Sequence, residues 1–264
     1  MEILAVYLML GVVAGILAGL LGVGGGLIIV PVLFALFTQI GMDHAVIMHV
    51  AIATSLATIL FTSIASTYAH HRHRAVIWSA FWRLTPGILC GAFIGASFAD
   101  YLPTSVLIIC FAIFELIVAY QMWFAFKPGA SRSLPGSSGM LATGGVIGSV
   151  SAIVGIGGGT LTVPFLSWCN QGIRHAVATS SACGFPIALA SVVAYLFLGQ
   201  DEPNIPKQSI GYIYLPAFMS ISLMSLLFAP LGAKFAHRLP VMTLKKIFAI
   251  LLTLIGVRML LVIV

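Results

Sequence analysis

Two glycine clusters lie inside apolar stretches of the chain, and unpaired amides beside glycine suit the binding of anions. The first reads LGVGGGLIIVP from Leu21 to Pro31, and the second reads VGIGGGTLTVP from Val154 to Pro164. A helix that restarts after such a cluster presents free N–H groups and the positive end of its dipole. Glycine lets a ligand approach those groups closely. The amides predicted to bind a small anion are those of Gly24, Gly25, Gly26, Gly157, Gly158 and Gly159.

A purely structural interpretation of the clusters is also open, because GVGGG and GIGGG could be tight turns between closely packed helices. Neither cluster is a nucleotide-binding motif, since no GxxxxGK[ST] sequence occurs and no predicted strand precedes either one. The apolar segments that follow, 27–40 and 160–170, are short. About 14 helical residues rise roughly 21 Å, less than a hydrocarbon core of about 30 Å. We therefore expect helices that break at membrane depth.

Hydroxyl side chains recur after each cluster. The tripeptide Ala-Thr-Ser occurs at 53–55 and at 178–180, early in two long apolar stretches. Such hydroxyls either donate to an oxyanion or bond to their own helix backbone, and their repeated placement favours the first interpretation. Thr160 follows the second glycine triplet, where the first has Leu27, so the two half-sites differ. The predicted hydroxyl ligands are Thr54, Ser55, Thr160, Thr179 and Ser180, with Ser181 beside them.

Four ionisable residues are candidates for pairing with the anion or for coupling transport to an ion: His49, Arg83, Glu115 and His175. The histidines precede the two Ala-Thr-Ser tripeptides and titrate near physiological pH, although both could instead be interfacial. A charge inside a span costs at least about 2.5–3.5 kcal/mol. Arg83 and Glu115 could therefore also form a structural ion pair, or Arg83 could extend towards the membrane surface.

No metal site, cofactor or disulfide is expected. The loop HHRHR from His70 to Arg74 contains three histidines, but a basic loop at the inner membrane face explains it more simply than a metal site does. The four cysteines all lie in apolar runs without a CxxC spacing.

The composition places these residues in membrane helices. Hydrophobic residues make up 61% of the chain and charged residues 7%, with a mean hydropathy of +1.15, whereas soluble domains carry about 25% charged residues. Strand periodicity is absent, which predicts an all-α polytopic bundle of about 8–10 spans in the lipid bilayer. The net charge of +6 reflects orientation in the membrane rather than nucleic-acid binding. The apolar stretches are 3–21, 27–40, 45–68, 77–99, 104–126, 140–154, 160–170, 175–198, 210–229 and 241–264.

The chain divides into two similar halves. Besides the glycine clusters and the Ala-Thr-Ser tripeptides, GASFADYLP at 95–103 matches GAKFAHRLP at 232–240. We predict a first transmembrane repeat at 1–126, a cytoplasmic linker at 127–139 and a second transmembrane repeat at 140–264. Equivalent loops differ in charge, which predicts inverted halves with both termini outside. The sequence also allows a homo-oligomer.

Glycines also recur at every fourth position on two predicted helices. They are Gly11, Gly15 and Gly19 on one helix, and Gly87, Gly91 and Gly95 on the other. We expect close helix packing along both stripes.

The doubled glycine motif, the paired Ala-Thr-Ser tripeptides and the repeated half together resemble the sulfite exporter TauE/SafE family of membrane permeases. The resemblance covers essentially the whole chain. It implies movement of sulfite, of sulfonates such as sulfoacetate, or of other small anions, across the cell inner membrane.

We therefore predict a secondary transporter, an exporter of a small sulfur-containing anion, coupled to protons and working by alternating access. An anion channel and a permease for a small carboxylate are the alternatives. An intramembrane enzyme that uses a cysteine and a histidine has no recognisable motif in the chain.

Overall fold

A computed structural model shows an almost entirely helical chain, and the structure describes residues 2–22, 24–124, 133–236 and 241–262. Much of the predicted linker at 127–139, with Lys127 and Arg132, lies outside these residues. The elements in chain order are α1 (Glu2–Leu21), α2 (Gly26–Gln39), α3 (Ile47–Arg72), α4 (Trp78–Asp100), α5 (Thr104–Trp123), α6 (Ser137–Val154), α7 (Gly159–Trp168), α8 (Ile173–Leu198), β1 (Ser209–Ile210), β2 (Ile213–Tyr214), α9 (Leu215–Ala236) and α10 (Val241–Leu261).

Within the part of the chain that the structure describes, six helices are long and apolar enough to cross a membrane: α1, α3, α5, α6, α8 and α9. Helix α2 is also apolar, but it has only 14 residues, and α7 has 10. These short helices follow the two glycine clusters, as the sequence predicts. The structure thus confirms an all-α polytopic membrane bundle with helices broken at the glycines.

A short β-hairpin precedes α9, and the sequence did not predict it. Ser209–Ile210 pairs antiparallel with Ile213–Tyr214, and the turn between them contains Gly211 at φ +53°. The predicted span at 210–229 therefore begins later, at Leu215. Two residues per strand are too few to show a period-2 pattern, which explains why the hairpin was missed.

The two glycine stripes pack directly against neighbouring backbones, as expected. Helix α1 packs against α9, and α4 packs against α6. A Cβ atom added to Gly15 would lie 2.7 Å from the carbonyl oxygen of Ser225, and one added to Gly91 would overlap the carbonyl oxygen of Gly145. Only glycine permits this close approach of helices, which in lipid depends on packing rather than on the hydrophobic effect.

Helices α3 and α8, of 26 residues each, pack against each other and contribute much of the buried core. At one end of the molecule the 73–77 loop contacts the start of α8, and at the other the hairpin contacts the start of α3. We call these the basic end and the hairpin end. The basic end carries Arg72, Arg74, Arg174, Lys234 and Lys246, and the hairpin end carries Asp43, Asp100, Asp201 and Glu202.

Candidate functional site

Helices α2 and α7 both restart directly after a left-handed glycine. Gly25 precedes α2 with φ 76°, and Gly158 precedes α7 with φ 71°. Neither N-terminus has a side-chain cap. Other residues strongly disfavour this conformation, so glycine is what allows the chain to turn so sharply into a new helix.

The two breaks meet near the middle of the molecule. A Cβ atom added to Gly24 would lie 3.1 Å from the Cα atom of Gly157, and one added to Gly26 would overlap the carbonyl oxygen of Gly155. Ile59 and Gly184, close to the midpoints of α3 and α8, lie beside these glycines. The glycine clusters that are far apart in sequence therefore lie together near the middle of the molecule.

Several backbone amides at the breaks are unpaired. Within the described ranges, no carbonyl or side chain accepts a hydrogen bond from the amides of Gly24 or Gly25, or from those of residues 157–160. The hydroxyl of Thr160 is buried and also has no hydrogen-bond partner among the described residues. Unpaired donors at membrane depth are costly unless a ligand or water uses them.

A small cavity lies beside the breaks, on the side of the basic end. Its volume is about 10 Å³, room for about one water molecule. None of its lining residues is charged, so an anion here would be held by neutral donors. The lining residues are Ala18, Gly22, Gly24, Thr62, Ser63, Ser66, Gly157, Ser180, Ser181 and Gly184.

The hydroxyls of the two Ala-Thr-Ser tripeptides join the halves through backbone groups. Thr54 Oγ1 accepts from the amide of Tyr214 at 3.0 Å, and Thr179 Oγ1 accepts from the amide of Ile77 at 2.9 Å. The serines donate to carbonyl groups just after the helices that end at the two breaks: Ser55 to Gly155, after α6, at 2.9 Å, and Ser180 to Gly22, after α1, at 3.0 Å. Of these four residues, only Ser180 lines the cavity.

The cavity hydroxyls on α3 were missed by sequence reasoning. Thr62, Ser63 and Ser66 line the cavity, and Ser66 donates to Ser181 on α8 at 3.2 Å. The sequence did contain a signal. Ser55 and Thr62 are seven residues apart, and Thr62 and Ser66 are four apart, spacings that place all three on one face of a helix.

The candidate histidines lie at the two ends rather than at the breaks. His49 lies against the carbonyl oxygen of Ala99, with Nε2 at 3.2 Å, and its ring stacks on that of Tyr212 at the hairpin end. His175 lies against the carbonyl oxygen of Ala75 at the basic end, with Nδ1 at 2.9 Å. Neither histidine lines the cavity.

The hairpin end is held by a charge-assisted hydrogen bond. The hydroxyl of Tyr212 donates to a carboxylate oxygen of Asp100 at 2.9 Å. Burial, and then this bond to a carboxylate, raise the pKa of Tyr212. The phenol therefore stays protonated at physiological pH and keeps donating.

The two charged candidates inside predicted spans do not meet. Arg83 is exposed on α4, whereas the side chain of Glu115 is 0% exposed on α5. Neither carboxyl oxygen of Glu115 has a hydrogen-bond partner among the described residues, so an ion pair with Arg83 is not formed. The same ranges contain no group of three His, Cys, Asp or Glu side chains that could hold a metal ion.

Comparison with known proteins gives one consistent result. The family described as Sulfite exporter TauE/SafE matches residues 7–259. A "Probable membrane transporter protein" of Haemophilus influenzae is 36% identical over 254 residues, covering 96% of each chain. One of the same description from Methanocaldococcus jannaschii is 25% identical, over 98% of this chain and 96% of the relative. No solved structure matches the chain. The chain belongs to the sulfite exporter TauE/SafE family of membrane transporters.

Proposed function

We propose that this protein exports a small sulfur-containing anion, such as sulfite or an organosulfonate, by proton-coupled alternating access at the inner membrane. The observation that carries the proposal is the meeting of two helix N-termini, with unpaired amides, beside a hydroxyl-lined cavity. Helix N-termini favour negative charge, and amides suit oxyanions. The name of the family agrees with this ligand class.

We assign the binding roles according to which hydrogen-bond donors are unpaired. The amides of Gly24, Gly25 and residues 157–160 would hold the anion, with Thr160 adding a hydroxyl. Ser66 and Ser181 already hydrogen-bond other groups, so they must rotate to donate to a ligand. They would therefore orient the anion more than they stabilise it.

Two inverted halves, with 127–139 as the linker, supply the moving parts in this proposal. The contacts support the idea, because α1 packs against α9 of the second half while the corresponding α6 packs against α4 of the first. Thr54 and Thr179 likewise each bind a loop of the other half. Rocking of one half against the other would expose a fixed central site first to one side of the membrane and then to the other.

The direction of transport is inferred from charge. Under the positive-inside rule the basic end faces the cytoplasm. The cavity lies on that side of the breaks and would receive an anion attracted by the basic loop. The cavity has room for about one water molecule, so the surrounding helices must move apart to admit a larger anion.

Counterflow in proteoliposomes tests the proposal. Vesicles loaded with unlabelled sulfite, organosulfonate, thiosulfate or carboxylate should transiently accumulate the same labelled anion. Conductive flux without exchange would identify a channel instead. Failure of every anion to show counterflow would contradict the proposed function.

A further inference from the structure

We propose that Glu115 carries a proton that moves together with the exported anion, an inference that rests on the proposed transport function. Glu115 lies near the middle of α5, and its side chain is 0% exposed. Both carboxyl oxygens lack a hydrogen-bond partner in the part of the chain that the structure describes. A buried carboxylate without a partner is strongly disfavoured, so the resting form of this side chain is the neutral acid.

Among the described residues, the neighbouring helices place no cationic side chain in hydrogen-bond contact with this carboxyl. Helix α5 packs against α10, α3 and α6. Helix α6 has no titratable side chain, and His49 and His70 lie towards opposite ends of α3. On α10, Lys246 lies over the Trp123 ring near one end, and Arg258 is exposed near the other. Among the described residues none of these groups bonds to Glu115.

Packing does not require an acid at this position. When the two repeats are aligned on the Leu-Pro pairs at 102–103 and 239–240, Leu252 of α10 is the residue equivalent to Glu115 of α5. Leu252 is also 0% exposed. The same structural position is therefore filled by an apolar side chain in one half and by an ionisable one in the other, which points to a function for the carboxyl group.

Protonation of Glu115 is linked to the arrangement of the helices. The neutral acid fits the buried interface of α5 with α3, α6 and α10, whereas the anion needs water or a cation. Release of the proton therefore requires that interface to open, and binding of the proton favours its closure. Because no cationic side chain lines the cavity, a proton that moves with the substrate would also compensate its charge.

An apolar groove provides a route for a chemical probe. The groove lies between α5 and α10 and has a volume of about 440 Å³. It reaches Ala119, which lies one helical turn beyond Glu115 on the same face of α5. A hydrophobic carbodiimide, which reacts with protonated carboxyl groups, should enter from the lipid and label Glu115. Labelling is located by mass spectrometry of the peptide.

Transport driven by a pH gradient tests the coupling. The probe is labelled methanesulfonate, which stays ionised and so does not accumulate as a weak acid. With the membrane potential clamped by K⁺ and valinomycin, wild-type vesicles that are more alkaline inside than outside should accumulate it about tenfold per pH unit if one proton moves with each anion. Glu115→Gln, which resembles the neutral acid, should keep counterflow within about twofold of wild type but lose this accumulation.

Two further variants control for folding and polarity. Glu115→Asp keeps a carboxyl group and should retain at least part of the accumulation. Leu252→Gln introduces an amide at the matching buried position on α10 and should leave gradient-driven accumulation unchanged in protein that folds.

The outcomes separate the inference from the proposed function. Full accumulation by Glu115→Gln, loss of its counterflow, or absence of carbodiimide labelling at Glu115 in the wild type would each overturn the assignment of the proton to this residue. Absence of wild-type counterflow with every anion would instead defeat the transport function, and the inference with it.

Discussion

At the two helix breaks, backbone conformation requires glycine as much as any role in binding does. Gly24, Gly25 and Gly158 all have φ between 71° and 79°, and their neighbours lie too close for most side chains. Because the unpaired donors there are amides, every substitution except proline leaves them in place. Their role is therefore tested through the space and the conformation that glycine provides.

Gly24→Ala should reduce counterflow by at least about tenfold, because its methyl group would lie 3.1 Å from Gly157 within the site. The matched control is Gly41→Ala. Gly41 has a similar φ of 73° but nothing within 4 Å, so it shares the backbone strain without the crowding. Initial rates of counterflow at equal protein content measure both variants. Equal losses in the two would show that strain alone, and not the site, explains the effect.

Removing two of the cavity hydroxyls, in Ser66→Ala with Ser181→Ala, should raise KM by about tenfold, as expected when one hydrogen bond to a charged ligand is lost. The control is Ser97→Ala, since Ser97 is exposed and bonds to the backbone of its own helix. Transport kinetics in proteoliposomes give KM for each. An unchanged KM in the double variant would remove these hydroxyls from the site.

At the scale of helix pairs, the glycine stripes determine how closely two helices approach each other. On α4, Gly91 lies against the backbone of Gly145 on α6, and the contact leaves no room for a side chain on Gly91. Space around Gly145 itself is less restricted, because a Cβ atom there would meet only the carbonyl oxygen of Gly87 at 3.9 Å. The two helices therefore differ at this contact, because α6 has room for a small side chain at Gly145 and α4 has none at Gly91.

Gly91→Ala should destabilise the protein by about 1–3 kcal/mol, because the two helix backbones must separate. Gly145→Ala should be neutral or slightly stabilising, since alanine is the better helix former by about 1 kcal/mol. Thermal unfolding of the detergent-solubilised protein measures both variants. A larger loss for Gly145→Ala than for Gly91→Ala would contradict this packing.

The two ends of the molecule differ in charge, and this difference predicts the orientation of the protein in the membrane. Basic side chains such as Arg72 and Arg74 lie at one end, and acidic ones such as Asp201 and Glu202 at the other. The basic end should therefore face the cytoplasm.

Cysteine labelling tests this orientation. In a background with the four native cysteines replaced, Asp201→Cys should react with an impermeant maleimide in intact cells, and Arg74→Cys should react only after permeabilisation. Both positions are exposed, so accessibility to solvent is matched. The reverse pattern would invert the topology. The cysteine-free parent should also transport normally, since an intramembrane cysteine enzyme would lose its activity.

Much of this architecture could be predicted from the sequence, because apolar length and glycine clusters act locally. The helix breaks before Gly26 and Gly159 followed from glycine content alone. The roles of Thr54 and Thr179 did not, because their backbone partners lie in distant loops. Likewise, nothing local showed that Arg83 would be exposed while Glu115 would be buried without a partner.

The most direct test of the central claim is to locate a bound anion at the paired breaks. Selenite resembles sulfite and scatters X-rays anomalously, so it can be used once it is shown to compete with the substrate in counterflow. We expect an anomalous peak about 3 Å from the unpaired amides of Gly24, Gly25 or residues 157–160. A competing selenite ion bound elsewhere, with these amides unoccupied, would contradict it.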